Sequence, residues 1–115
     1  MDDIRRKRVE EELRSEIASL ILSGEIKDPR INAFLSITRV EVSRDASAAR
    51  VHVSTFEEGE ALARGVEGLN NAAGFIQAAV GRKIRLRLTP KLKFLADEGI
   101  RKGFEMGEKI KDLFS

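Results

Sequence analysis

The segment from Arg82 to Phe94 limits this chain most. Ile84, Leu86, Leu88, Leu92 and Phe94 share one parity, while Arg85, Arg87, Thr89, Lys91 and Lys93 share the other. Successive side chains of a strand point to opposite faces, so the segment predicts a strand with an apolar row on a core and a cationic row facing outward. It contains no acid. Like charges in a row repel one another unless an anion lies against them, which points to a phosphate-bearing partner. A half-buried strand kept soluble by its Arg and Lys fits the same pattern. Pro90 has no N–H for a ladder and marks an edge, a bulge or a break within the run.

Three further segments complete the architecture. Asp2 or Asp3 caps a first helix to about Leu22, with Val9, Leu13, Ile17, Leu20 and Ile21 on its core face and Gly24 as its stop. The cations Arg5, Arg6, Lys7 and Arg8 in its opening turns oppose the helix dipole. After a turn at Asp28-Pro29-Arg30, the pattern predicts a hairpin. Its strands run from Phe34 to Val42 and from Ala49 to Phe56, around a turn at Ser43 to Ser47. The first strand changes phase between Ile37 and Val40, which calls for a bulge near Thr38-Arg39 or cover on both faces. Glu57, Glu58 and Glu60 favour a helix start. Leu62, Val66, Leu69, Ala73, Ile76 and Val80 then keep helical spacing through Asn70, Asn71 and Gly74, all poor helix formers. This predicts two helices, or one broken near Ala72-Ala73-Gly74, ending at Gly81. A last helix is expected after Asp97, with Ile100, Phe104, Ile110 and Phe114 inward and Gly99, Gly103 and Gly107 as a packing groove.

The 115 residues suit one domain, and 42% hydrophobic with 35% charged residues describes a soluble globule. The absence of cysteine removes disulfides and thiolate chemistry and suits the cytoplasm. No apolar run is long enough to span a membrane, and no signal peptide stands at the start. His52 is the sole histidine, so a two-His metal site is impossible and no Ser–His–acid group is singled out. Neither a phosphate-binding GxxxxGK[ST] loop nor a dinucleotide fingerprint occurs. Catalysis, cofactors and metals are therefore not expected. Nucleic-acid binding fits better. With no Tyr or Trp, the chain lacks a base-stacking platform, so contact must come from cations, backbone N–H groups and shape. A helix restarting at Gly74 would offer unpaired N–H groups to a phosphate, although a packing kink explains the same residues.

Ala72-Ala73-Gly74-Phe75-Ile76, the Asp28-Pro29-Arg30 turn, and Arg85-Leu86-Arg87 through Pro90, Leu92 and Phe94 to Asp97 resemble the bacterial ribosome-binding factor A family. So do the hairpin signature from Val40 to Val53 and the opening pattern from Arg5 to Ile21. The resemblance covers essentially the whole chain. It implies an α+β fold, a type II K-homology-like domain (helix-strand-strand-helix-break-helix-strand) with a C-terminal helix, as a single domain over residues 1–115. It also implies a non-enzymatic assembly factor that binds the small ribosomal subunit and its ribosomal RNA during late maturation. Such a factor assists maturation of the RNA 5′ end and supports growth in the cold. In that family an Ala-x-Gly break replaces the GxxG loop, which maps to Ala72, Ala73 and Gly74. A literal GxxG, Gly65 to Gly68, is set aside because Val66 belongs to the core stripe and Glu67 would repel phosphate. Gln77 departs from the family's frequent base, and the charged tail that some members carry is not expected here. The expected RNA contacts are Arg5, Arg6, Arg8, Ala72, Ala73, Gly74, Arg82, Lys83, Arg85, Arg87, Lys91 and Lys93. The expected state is a cytoplasmic monomer. An RNA binder of the same fold acting off the ribosome and a protein-interaction module are the alternatives.

Overall fold

The computed structural model describes residues 2–97. Helix α1 spans Asp3–Ser23. The Asp2 carboxylate accepts the Arg5 N–H at 2.8 Å, and Gly24 closes the helix with φ 75°. That left-handed conformation is open to glycine without a Cβ clash. The predicted stripe of Val9, Leu13, Ile17, Leu20 and Ile21 is buried.

Strands β1, Ser36–Val42, and β2, Ala48–Ser54, pair antiparallel. The register slips between Ile37 and Arg39, so of the two readings of the phase change the bulge is the one observed. One extra residue there lets Ile37 and Val40, three apart, both point into the core. Asp45 builds the connecting turn. Its Oδ1 accepts from the Ser43 and Ser47 hydroxyls at 2.8 and 2.7 Å and from the Ser47 N–H at 3.1 Å. These bonds hold its carboxyl down, to about 2.

Helices α2, Ala61–Asn71, and α3, Ala73–Lys83, meet at Ala72. Strand β3, Lys91–Ala96, then runs parallel to β2, giving the sheet order β1-β2-β3. α1 packs over β1, and α2 and α3 over β3, so the helices share one sheet face. Leu13, Ile17, Val51, Val53, Leu69, Ile76, Val80 and Phe94 fill the interface between the layers. The edge of β3 is closed by a side chain. The Asn70 carboxamide accepts the Phe94 N–H at 2.8 Å and donates to the Phe94 carbonyl at 3.0 Å. Asn70 costs α2 some helix propensity and satisfies two edge groups in return.

Four boundaries differ from expectation. The strand anticipated over 82–94 exists only from Lys91 onward. Helix α3 runs through Gly81 to Lys83, and the Ile84 N–H still bonds the Val80 carbonyl at 2.8 Å. The ladder opens immediately after Pro90, with the Lys91 N–H donating to Ser47 O at 3.0 Å. Proline has no proton to open it sooner. Leu88, counted with the apolar row, is 77% exposed. Gly81 does not end the helix. The loop folds back on it so closely that a Cβ there would stand 2.5 Å from Thr89 Oγ1. The hairpin strands also stop short of Phe34 and Phe56, whereas α2 begins at Ala61 with Glu60 at its N-cap, directly after the acids expected to favour its start. The anticipated last helix, with Ile100, Phe104, Ile110 and Phe114, lies outside the described residues.

Candidate nucleic-acid interface

The expected contacts fall into three groups. Lys91 and Lys93 are exposed on β3 while Leu92 and Phe94 are buried, so the lysines occupy the sheet face opposite the helices. Register sets Ala48 beside Lys91 and Arg50 beside Lys93, and sets Glu41 of β1 beside Arg50. Arg50 and Arg39 therefore join the lysines on that face. Neither was singled out as a contact from sequence. The cations there are not equivalent. Glu41 binds Arg39 at 2.8 Å and His52 at 2.7 Å. The Arg39 and then the His52 hydrogen bonds hold its carboxyl down, to about 2. Arg50 also lowers the Glu41 carboxyl through its charge without an ion pair, and Lys91 and Lys93 form no ion pair among the described residues.

The second group lies at the end of α3. Arg82 and Lys83 occupy its last turn, where cations suit the negative end of the helix dipole. Arg85 and Arg87 are exposed on the irregular segment that follows. Lys83 and Arg85 line a shallow depression with Glu12, Ser15 and Glu16 of α1. Arg5 and Arg8 extend this basic end along α1, in a depression with Asp2, Asp3 and Ile4. Arg6 is held back by Asp3 at 2.9 Å. The α1 cations, like Lys83 and Arg85, thus share their surface with acids, but Arg82, Lys83, Arg85 and Arg87 form no ion pair among the described residues.

The third group, Ala72, Ala73 and Gly74, stands apart from the cations. α3 rises about 1.5 Å per residue, which puts the break and Lys83 at opposite ends of a rod roughly 15 Å long. The break has one property the reading required. No side chain caps α3, and a Cβ built on Gly74 would meet nothing within 4 Å, so the backbone is open. Its surroundings are mixed in charge, because Ala72 and Phe75 line a depression with Glu25, Lys27 and Asp28. The literal GxxG has a packing explanation. A Cβ on Gly65 would lie 2.7 Å from Leu35 Cδ2, and one on Gly68 would lie 3.1 Å from Arg30 Cβ. Both glycines let the 28–35 segment lie on α2. Arg30 locks that segment, binding Asp28 at 2.7 Å and Glu67 at 3.1 Å. The Arg30 hydrogen bonds draw the Asp28 carboxyl down to about 2.

Among the described residues no group of three or more His, Asp or Glu could hold a metal, and no helix is long and apolar enough to cross a membrane. The family model described as ribosome-binding factor A matches residues 5–110. The chain belongs to the ribosome-binding factor A family. Ribosome-binding factor A of Treponema denticola is 43% identical over 113 residues, covering 98% of this chain and 86% of the relative. The crystal structure of ribosome-binding factor A from Thermus thermophilus is similar at a TM-score of 0.66 and 31% identity, over 79% of this chain and 94% of that one. A homology model of Thermus thermophilus ribosome-binding factor A, fitted into a cryo-electron-microscopy map of its 30S complex, is similar at a TM-score of 0.56 and 29% identity. It covers 81% of this chain and 91% of that one. The helix-strand-strand-helix-helix-strand order and mixed sheet are the K-homology-like fold of that family.

Proposed function

We propose that this protein is a non-catalytic assembly factor that binds the small ribosomal subunit through its ribosomal RNA during late maturation and assists processing of the RNA 5′ end. The observation that carries the reading is the exposed charge, free of ion pairs among the described residues, on Arg82, Lys83, Arg85, Arg87, Lys91 and Lys93, in a family whose Thermus member has been fitted into a 30S complex. Unpaired, exposed cations release counterions from a phosphate backbone, which supplies affinity independent of base sequence. Arg5, Arg6 and Arg8 extend that field along α1. The open backbone at Ala72, Ala73 and Gly74 allows RNA to approach closely at a second point. The scarcity of aromatic residues, six Phe with no Tyr or Trp, fits recognition by charge and shape.

Co-sedimentation with small subunits, large subunits and joined ribosomes at two salt concentrations tests the reading. Selective, salt-sensitive recovery with small subunits is expected. Equal recovery with every particle would reduce the surface to a generic polycation. To test the processing step, 5′-end maturation of small-subunit RNA is followed in cells depleted of the protein and resupplied with it or with the Arg85→Ala/Arg87→Ala variant. Normal maturation in depleted cells would remove that part of the proposal.

A further inference from the structure

The end of the sheet farthest from the β1–β2 turn exposes two phenylalanines. Phe34 is 69% and Phe56 87% exposed, and each lies two residues beyond the last paired positions, Ser36 and Ser54. Side-chain hydrogen bonds organise both loops. Asn32 Oδ1 accepts the Phe34 N–H at 2.8 Å, while its Nδ2 donates to Glu57 Oε1 at 3.0 Å, so one carboxamide ties the loops together. On the second loop, Thr55 Oγ1 accepts the Glu57 N–H at 3.2 Å. Leu35, between these features, is buried against Gly65. The rings are thus displayed on anchored backbone, with part of the ordering cost of binding already met. Large exposed apolar side chains gathered at one place mark interaction surfaces.

Charge selects the partner. Glu57, Glu58 and Glu60 follow Phe56 in a 55–60 loop that contains no base, and Glu57 is bonded to Asn32, two residues before Phe34. A phosphate backbone would be repelled there, whereas a cationic peptide would be attracted. We propose that Phe34 and Phe56 are the anchors of a docking surface for a Lys/Arg-rich protein segment that carries an apolar side chain, the segment being part of a protein on the small subunit. The inference deepens the small-subunit reading: the exposed cations take RNA, and the acidic loop with its two phenylalanines takes a protein on the same particle.

The test compares wild type with Phe34→Ala/Phe56→Ala and with Glu57→Lys/Glu58→Lys, each first shown to keep the wild-type circular dichroism and melting temperature. Affinities are measured for intact small subunits and for deproteinised small-subunit RNA. The aromatic variant is expected to lose about tenfold or more on subunits, as truncated anchor residues do, while matching wild type on bare RNA. The charge variant is expected to weaken on subunits and to hold or gain on RNA. A photo-crosslinker at position 56 is expected to capture a small-subunit protein. Undiminished subunit binding by both variants overturns this proposal alone. Parallel losses on subunit and RNA, or a crosslink to RNA, would make the rings base-stacking groups and overturn it as well. A crosslink only within this chain would make residues 98–115 the occupant and overturn it too. Failure of wild type to bind subunits at all would instead sink the small-subunit reading and this one with it.

Discussion

At the scale of single residues, the glycines divide by what surrounds them. Gly65 is buried with Leu35 pressed against it, so Gly65→Ala must displace a core side chain. Overpacking of this kind costs about 1–3 kcal/mol, and urea unfolding of the variant is expected to show a loss in that range. Gly74 lies in α3, free of positive φ and with open space where a Cβ would go. Gly74→Ala is expected to leave stability unchanged or raise it by up to about 1 kcal/mol, through better helix propensity. If that stable variant binds RNA less well, the role of Gly74 is close approach rather than folding. Asp28 yields a pH prediction. Its carboxyl is ordinarily near 3.8 and is held at about 2, first by the Arg30 side-chain hydrogen bonds. A carboxylate depressed by folding stabilises the native state above its unfolded pKa and loses that contribution as pH falls through the folded value. The Asp28 contribution should therefore be complete above about pH 4 and disappear toward pH 2. Thermal melts of Asp28→Asn are expected to show a lower neutral-pH midpoint and a shallower acid decline than wild type.

At the scale of elements, regular patterns were legible in the sequence and terminations less so. The α1 stripe, a cap at Asp2 or Asp3, the Gly24 stop and the break near Ala72-Ala73-Gly74 could all be read, and a bulge near Thr38-Arg39 was one of two readings of the phase change. Each leaves a local signature: a 3.6-residue period, a cap residue, a phase change, or a cluster of poor helix formers. The segment 82–94 misled because alternation survives in irregular backbone. Arg85, Leu86, Arg87 and Leu88 alternate without any ladder partner, and what decides the strand is the neighbour, Ser47, that the Lys91 N–H finds across the sheet. Likewise, no local pattern shows that Gly81 must admit Thr89, or that Arg39 and Arg50 share a face with Lys93. These are consequences of long-range pairing. Asn70 shows the same dependence, since it reads as a helix breaker yet serves β3. Asn70→Ala removes two hydrogen bonds to Phe94, each worth about 1 kcal/mol net, and improves helix propensity by a few tenths of that. A net loss of about 1–2 kcal/mol in denaturant unfolding is expected. Amide exchange should speed up at Phe94 before it does at Val51 in the central strand.

At the scale of the whole molecule, the acid-free run of cations lies at one end of the sheet axis. The β1–β2 turn, the start of β3, the end of α3 and the first half of α1 gather Arg5, Arg8, Arg82, Lys83, Arg85, Arg87 and Lys91, with Asp2, Asp3, Glu10, Glu11, Glu12 and Asp45 among them. The far end holds Glu25, Asp28, Glu57, Glu58, Glu60 and Glu67, with Lys27 and Arg30 among them. A net charge of +2 conceals this arrangement. It also makes the RNA contact divisible. Lys91 and Lys93 project from the open sheet face, whereas Arg85 and Arg87 sit on the loop between α3 and β3, so an RNA strand following one set need not touch the other. The slope of log affinity against log salt counts released counterions, about 0.7–0.9 for each phosphate contact. Arg85→Ala/Arg87→Ala and Lys91→Ala/Lys93→Ala all change exposed side chains without ion-pair partners among the described residues, so stability should stay within about 0.5 kcal/mol of wild type. Slopes for small-subunit RNA then assign the path. If both double variants flatten the slope, the strand crosses from the loop onto the sheet, which is the outcome expected from Lys91 joining the two surfaces. Flattening by the loop pair alone would confine RNA to the end of α3, and flattening by neither would show that these cations do not meet phosphate.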